Sequence, residues 1–174
     1  MNNLEKIQKG MKVFQILSKI IFVFACVGVA LGTIAAILVA TDVATAENGY
    51  LTFISVTTEM SKRQLVGTLA AVATTLLFSG VITGFVCHYF SAELKEGTPF
   101  TNAGAVRIRN LGIVMIVISI VTLIITEGIN HIFNLPNEWT HYDDVGSIAL
   151  GVCLILIAMV VRYGAELELK NREK

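Results

Sequence analysis

The chain alternates long apolar stretches with short polar ones. Four stretches contain no Asp, Glu, Lys or Arg, namely residues 20–40, 65–90, 111–126 and 145–161. About 20 apolar helical residues cross the ~30 Å hydrocarbon layer of a bilayer, and the first two stretches reach that length outright. The other two reach it because Arg109 and Arg162 can extend their charged ends to the interface. The pattern predicts an all-α fold with four transmembrane helices, at about 13–41, 65–90, 107–128 and 144–165.

Composition supports a membrane location. The 174 residues are 55% hydrophobic and 15% charged, whereas a soluble domain carries about 25% charged residues. This difference excludes an ordinary soluble enzyme. The net charge of zero and the lack of a basic block argue against direct nucleic-acid binding, which needs clustered Lys and Arg. The length predicts a single membrane domain over residues 1–174.

An alternative for the first apolar stretch is a cleaved signal peptide. Lysines precede it, and residues 44–46 read Ala-Thr-Ala, a small-residue pattern typical of cleavage sites. The apolar core of a signal peptide is about 7 to 15 residues long, which is shorter than this stretch. The sequence therefore favours a retained helix.

The distribution of Lys and Arg predicts the orientation. The two loops at about 41–64 and 127–144 share only Lys62 and Arg63, and the remaining basic residues lie in the other three segments. These are Lys6, Lys9, Lys12 and Lys19 before the first helix, Lys95, Arg107 and Arg109 in the middle connection, and Arg162, Lys170, Arg172 and Lys174 in the tail. Because basic residues accumulate on the cytoplasmic side, we expect a multi-pass plasma-membrane protein with both termini and the middle connection in the cytoplasm.

Small residues recur at four-residue spacing within the helices. Such stripes let two helix backbones approach closely, which supplies contact energy where lipid removes the hydrophobic driving force. The stripes predict a compact four-helix bundle, but a homodimer, in which a second copy supplies the facing helix, is the alternative. The predicted packing residues are Gly28, Gly32, Ala36, Gly80, Gly84 and Gly151.

The polar side chains inside the spans are all hydroxyls, and these can return a hydrogen bond to their own helix. No ionisable group lies at mid-membrane depth, which argues against an ion-coupled carrier. No nucleophile with a paired base is visible, so we expect no enzymatic activity and no cofactor. Cys26, Cys87 and Cys153 are expected to pack as small apolar residues, with palmitoylation of Cys87 as an alternative.

The outer loops contain side chains that are candidates for ligand binding. Glu127 and His131 are four residues apart on one helix face, and His141 and Asp143 follow, so these side chains are candidate ligands for a divalent metal. The alternative is that acidic residues collect here only because the orientation bias removes Lys and Arg. Residues near 50–57 are rich in β-branched and aromatic types, which predicts a short strand in an extracellular cap.

The middle connection is the most distinctive segment. Gly97 and Pro99 are expected to end the second helix, and Thr101 or Asn102 to cap the third. Two interpretations stay open: a plain elbow with interfacial arginines, or a docking site for a cytoplasmic partner. The candidate partner-binding residues are Gly97, Pro99, Phe100, Thr101, Arg107 and Arg109. In the tail, Glu166 and Lys170 are spaced as an i,i+4 ion pair on an exposed helix.

Two sequences carry a family resemblance. The run GTPFT followed by RIRNLG, together with RYGAELE after the last span, resembles the bacterial membrane family known as domain of unknown function 2975. The resemblance implies a four-helix integral membrane protein without assigned activity, often encoded beside a small helix-turn-helix transcription regulator. One departure is that Ala103, Gly104 and Ala105 stand where we expect a polar or acidic start to the third helix.

These observations favour a non-enzymatic membrane protein that acts as a sensor or anchor for a cytoplasmic factor, such as a small helix-turn-helix regulator. The distinctive residues lie on the predicted cytoplasmic side. The alternative is a self-protection or transport component that recognises an extracellular peptide, lipid or ion through the acidic outer loops. The sequence itself leaves this choice open.

Overall fold

A computed structural model describes residues 3–41, 61–96, 101–135 and 144–172. They form four α-helices: α1 (Asn3–Ala40), α2 (Lys62–Glu96), α3 (Asn102–Phe133) and α4 (Asp144–Arg172). The predicted all-α class and the number of helices are confirmed. No strand occurs within these four ranges, and the strand predicted near 50–57 lies outside them.

Each helix is long and apolar enough to cross a membrane. The qualifying segments are Glu5–Ala40, Lys62–Glu96, Asn102–Phe133 and Gly146–Leu167. The helices extend beyond the charge-free stretches because Lys, Arg and Glu are good helix formers and continue the backbone hydrogen bonding past the apolar core. The apolar stretches therefore predicted the middle of each helix better than its ends.

Successive helices run antiparallel. Near the start of α1, Gln15 donates a hydrogen bond of 2.6 Å to Ser91 near the end of α2. At the opposite end, Arg63 of α2 donates to the carbonyl oxygen of Ile132 in the last turn of α3 at 2.6 Å. The starts of α1 and α3 therefore lie at the same end of the molecule as the end of α2.

The direction of α4 follows from chain length. α3 and α4 cross where Gly112 meets Gly151. If α4 ran parallel to α3, this contact would place Asp144 about 45 Å from Leu135 at 1.5 Å per residue. Eight intervening residues span at most about 32 Å. α4 therefore runs antiparallel to α3.

The helices form an open row. α1 packs on α2, α2 on α3, and α3 on α4. No other pair of helices makes more than a marginal contact within the described ranges. The compact bundle predicted from the small residues is thus open, with α1 and α4 at its two edges. Lipid can cover the outer faces of such a row, so closure into a ring is not required.

The outer surface of the row is apolar. Phe24 of α1 is 72% exposed, Ile124 of α3 is 68% exposed and Val160 of α4 is 71% exposed. Many other large aliphatic side chains on all four helices are also exposed. Monomeric soluble proteins rarely expose continuous apolar patches larger than a few hundred Å². This surface is compatible with hydrocarbon and unfavourable in water.

Glycines bring two helix backbones into contact at the α3–α4 crossing. A Cβ atom placed on Gly112 would lie 2.6 Å from the carbonyl oxygen of Gly151, and one on Gly151 would lie 2.8 Å from the carbonyl oxygen of Gly112. Backbone atoms cannot move aside as a flexible side chain can. Glycine is therefore required at both positions for this crossing distance.

The α1–α2 contact is less strict. A Cβ atom on Gly32 would lie 3.4 Å from the Cβ of Ala73, and one on Gly80 would lie 3.3 Å from the Cβ of Ala25. A Cβ on Gly28 would lie 2.8 Å from a terminal methyl group of Leu76, which can rotate. The small-residue stripes of α1 and α2 thus face each other within one chain.

Hydroxyl groups inside the helices bond their own backbone. Thr33, Thr74 and Thr122 each donate to the carbonyl oxygen four residues earlier, at 2.6 to 2.8 Å. The same bond is made by Ser18, Thr68, Thr75, Thr83 and Thr126. Buried Ser119 is an exception, since its hydroxyl has no partner among the described residues. Most of these hydroxyl side chains therefore bond the backbone of their own helix, as predicted.

The start of α2 caps the end of α3. Ser61 and Gln64 form a reciprocal capping box, in which the Ser61 backbone N–H donates to Gln64 Oε1 at 3.0 Å. Gln64 Nε2 also donates to the carbonyl oxygen of Asn134 at 3.2 Å. Asn134 ends α3 in the left-handed conformation, with φ of 52°. Together with the bond from Arg63, these contacts satisfy carbonyl groups that the end of a helix leaves open.

The tail of α4 contains a different ion pair from the one predicted. Glu166 accepts a hydrogen bond of 3.1 Å from Nε of Arg162, one turn before it. The predicted pair of Glu166 with Lys170 is not formed. Both basic residues lie four positions from Glu166, and the planar guanidinium presents directed donors, which favour a fixed pairing over the flexible Lys ammonium.

The α3–α4 crossing gives a test of the fold. We expect Gly112→Ala to destabilise the protein by about 1 to 3 kcal/mol, because the new methyl group meets backbone and the helices must separate. Gly128→Ala is the matched control in the same helix, since a Cβ at Gly128 meets nothing within 4 Å. Thermal unfolding in detergent measures both, and equal midpoints for the two variants would contradict the close crossing.

Candidate functional site

The elbow between α2 and α3 is the middle connection, the most distinctive segment of the sequence. The structure describes this segment except for residues 97–100. α2 ends at Glu96 and α3 begins at Asn102. Thr101 is the N-cap of α3, with extended backbone, and its side chain accepts a hydrogen bond of 2.9 Å from the backbone N–H of Gly104. The prediction that Thr101 or Asn102 caps α3 is thereby resolved in favour of Thr101. A neutral N-cap hydroxyl satisfies an open backbone donor, so the unexpected small residues that follow need no acidic side chain.

A carboxylate is buried at this elbow. Glu93 is 0% exposed and lies one turn before the end of α2. Nη1 of Arg107, in the second turn of α3, donates to Glu93 Oε1 at 3.2 Å. A buried charge is strongly unfavourable unless it is paired, so Arg107 is the side chain that makes the position of Glu93 acceptable.

Arg107 also holds the last residue of α2. Its Nη2 donates to Glu96 Oε1, and Thr101 Oγ1 donates to Glu96 Oε2 at 3.4 Å. Both ends of the connection at 97–100 are therefore joined to each other through side chains. We call Glu93, Glu96, Thr101 and Arg107 the elbow cluster.

The two carboxylates of the elbow cluster differ electrostatically. Both follow the charge-free segment 65–90 and so lie outside the apolar span of α2. Burial raises the pKa of the Glu93 carboxyl above its ordinary value, and the hydrogen bond from Arg107 opposes this rise. The hydrogen bond from Arg107 lowers the pKa of the more exposed Glu96 below its ordinary value. Glu96 is thus the better counter-ion for Arg107, whereas the charge of Glu93 depends on its pairing with Arg107.

The elbow cluster contains one buried acceptor with unused hydrogen-bonding capacity. Glu93 Oε2 is buried and has no hydrogen-bond partner among the described residues. A carboxylate oxygen accepts more than one hydrogen bond, so this atom could take a further donor. Arg109, two residues after Arg107, is exposed. The arrangement therefore combines a fixed, paired arginine with an exposed one on the same helix start.

The structure separates the residues predicted for partner binding into three groups. Thr101 and Arg107 belong to the elbow cluster, and Arg109 lies beside it on the surface. Gly97, Pro99 and Phe100 lie outside the described residues. The sequence predicts that Arg107 is an interfacial or partner-binding arginine. In the structure its guanidinium group bonds the carboxylates of Glu93 and Glu96 in its own chain.

The predicted metal ligands are described only in part. Glu127 and His131 are both exposed near the end of α3, while His141 and Asp143 lie outside the described residues. No group of three or more His, Cys, Asp or Glu side chains that could hold a metal ion occurs in the described ranges. The metal site stays a prediction.

Sequence reasoning missed the role of Glu93 and Glu96. The available signal was two carboxylates three residues apart, directly after an apolar stretch and before a short connection with a following Arg. Residues three apart lie on one helix face, so both could reach one partner across the turn. The spacing alone did not show that Glu93 is buried, because burial depends on how α3 returns against α2.

No protein-family model, curated protein or solved structure matches the chain. The resemblance of the elbow and tail sequences therefore has no support from these comparisons. The described structure establishes the coarser class: four long apolar helices, consistent with a four-helix membrane protein.

Two arginines at the start of α3 test the elbow cluster. We expect Arg107→Met to lower the unfolding midpoint in detergent, because it leaves the buried Glu93 carboxylate without a counter-charge. Arg109→Met is the matched control and should change the midpoint much less, since Arg109 is exposed.

A second substitution separates loss of charge pairing from loss of packing. Adding Glu93→Leu to Arg107→Met removes the unpaired carboxylate and should raise the unfolding midpoint back towards the wild-type value. If the double variant is no more stable than Arg107→Met alone, the pairing does not explain the effect.

Proposed function

We propose that this chain is a multi-pass protein of the plasma membrane with both termini and the elbow in the cytoplasm. The observation that supports it is the apolar exterior on four helices of spanning length. Lys95, Arg107 and Arg109 surround the elbow, and the two other connections share only Lys62 and Arg63. The positive-inside rule then orients the chain.

Within that topology, we propose that the elbow is a docking site and that the protein acts as a sensor or anchor for a cytoplasmic regulator. The observation that carries this proposal is the elbow cluster, which fixes both ends of the connection through Arg107. Side chains that are already held in place, as those of the elbow cluster are, lose less conformational freedom on binding than mobile ones.

The chemistry of the elbow defines the kind of partner. Arg109 is exposed beside the elbow cluster and can form a bidentate pair with a carboxylate. A cytoplasmic protein with an acidic patch is therefore the expected partner. The resemblance to the family known as domain of unknown function 2975 implies a small helix-turn-helix regulator encoded nearby, which is the specific candidate.

Cysteine labelling tests the topology. In a variant without native cysteines, Lys95→Cys and Lys170→Cys should stay unlabelled by a membrane-impermeant maleimide in intact cells. Lys62→Cys should be labelled. All three should react after the cells are opened, and labelling of Lys95→Cys in intact cells would exclude the proposed orientation.

Charge reversal tests the docking site. We expect Arg109→Glu to abolish co-purification of the proposed helix-turn-helix regulator with the membrane protein, because an acidic partner is then repelled. Lys170→Glu is the control, since it reverses one exposed charge in the tail at the same end of the molecule. Retention of the regulator by Arg109→Glu at the wild-type level would refute the elbow as its binding site.

A further inference from the structure

A groove follows the α1–α2 contact from Lys19 and Ser91 to Val29 and Leu76. Its outer part is lined by Lys19, Phe22 and Val23 of α1 and by Gly84, Cys87, His88 and Ser91 of α2. Its inner part begins at the shared residue Phe22 and is lined by Ala25, Cys26, Val29, Leu76, Leu77, Gly80 and Val81. The two parts both lie along the α1–α2 contact and meet at Phe22.

The polarity of the groove changes along its length. Lys19, His88 and Ser91 lie together at the outer part, and no carboxylate is present among the lining residues. The inner part is lined only by apolar side chains, a cysteine and a glycine. The groove thus has a basic mouth and an apolar channel.

The mouth offers hydrogen-bond donors. The Ser91 hydroxyl oxygen accepts a bond of 2.6 Å from Gln15, so its own hydrogen remains to donate. Lys19 and His88 are exposed, and neither has a hydrogen-bond or ion-pair partner among the described residues. A group with several acceptor oxygens and negative charge matches this set.

The length of the groove corresponds to one leaflet. From Lys19 to Val29 a helix rises about 15 Å at 1.5 Å per residue. Half of a ~30 Å hydrocarbon layer is also about 15 Å. An acyl chain whose headgroup sits at Lys19 would therefore fill the channel to the middle of the bilayer.

We propose that the α1–α2 groove is a binding site for one anionic phospholipid. Lys19, His88 and Ser91 contact its phosphate, and one acyl chain lies along Phe22, Gly84 and the inner channel. The proposal rests on the membrane location proposed above and not on the regulator. The lipid site could face either leaflet, so the proposal is also independent of the orientation of the chain in the membrane.

Gly84 keeps the outer part of the groove open, between the mouth and the channel. A Cβ placed on Gly84 would lie 3.5 Å from the ring of Phe22, which is ordinary contact, so Ala is tolerated there. A Leu side chain at this position would instead occupy the groove itself. Gly84→Leu and Gly84→Ala are therefore a matched pair that closes or preserves the channel.

Native mass spectrometry of the full chain tests the site. The purified protein in detergent is mixed with phosphatidylglycerol or phosphatidylcholine with identical acyl chains. We expect the wild type to retain one phosphatidylglycerol more strongly than phosphatidylcholine. Lys19→Gln should lower phosphatidylglycerol retention about fivefold, the effect of one basic residue at an anionic lipid surface.

Two controls make the result specific. Lys12→Gln removes an exposed basic residue two turns earlier on α1, outside the groove, and should leave retention unchanged. Gly84→Leu should reduce retention of both lipids, while Gly84→Ala should retain them. Helical circular dichroism of each variant shows that it remains folded.

Several results would overturn the proposal. Equal retention of the two lipids by the wild type would exclude recognition of the anionic headgroup, and equal losses in Lys12→Gln and Lys19→Gln would indicate a diffuse basic surface. Competition by glycerol phosphate as effective as phosphatidylglycerol would exclude the acyl-chain site. A dimer that Gly84→Leu dissociates would show that a second copy occupies the groove.

Discussion

The structure depends on a surface that is not suited to water. Side chains such as Phe24, Ile124 and Val160 project outward with no protein contact sufficient to cover them. In the proposed bilayer these side chains gain nothing by burial against another helix, because lipid is equally apolar. Association must then come from close backbone approach and from polar contacts at the helix ends. Both are present in the described residues.

The α3–α4 and α2–α3 contacts use these two sources differently. α3 and α4 meet through Gly112 and Gly151, where the backbones themselves are in contact. α2 and α3 are joined by polar groups at both ends, with Arg107 at the elbow and Arg63 at the far end of α2. Charged side chains can make such bonds where the helices leave the apolar layer, which explains why the arginines lie there. The open row follows because each helix has a strong contact only with its chain neighbours.

The sequence predicted the helices well because their signal is local. Charge-free stretches such as 65–90 are set by hydrocarbon thickness, and every residue within them contributes to the same inference. The order of contacts could not be read in this way, because a small-residue stripe does not name the helix that faces it. Arg107 shows the same limit: its position at a helix start was visible, but its partners Glu93 and Glu96 depend on how α3 folds back. The ion pair of Glu166 was assigned to the wrong neighbour because two basic residues were equally spaced from it.

Burial of Glu93 constrains how the start of α3 lies against the end of α2. A buried ion pair is weak evidence of stabilisation, since apolar side chains of similar volume often hold a fold at least as well. An ion pair differs from an apolar contact in direction, because Arg107 must present its guanidinium to Glu93 and Glu96 at once. That requirement fixes the rotation of α3 relative to α2, and with it the direction in which Arg109 and the capped turn at Thr101 are presented. The docking surface that we propose for the elbow depends on this orientation.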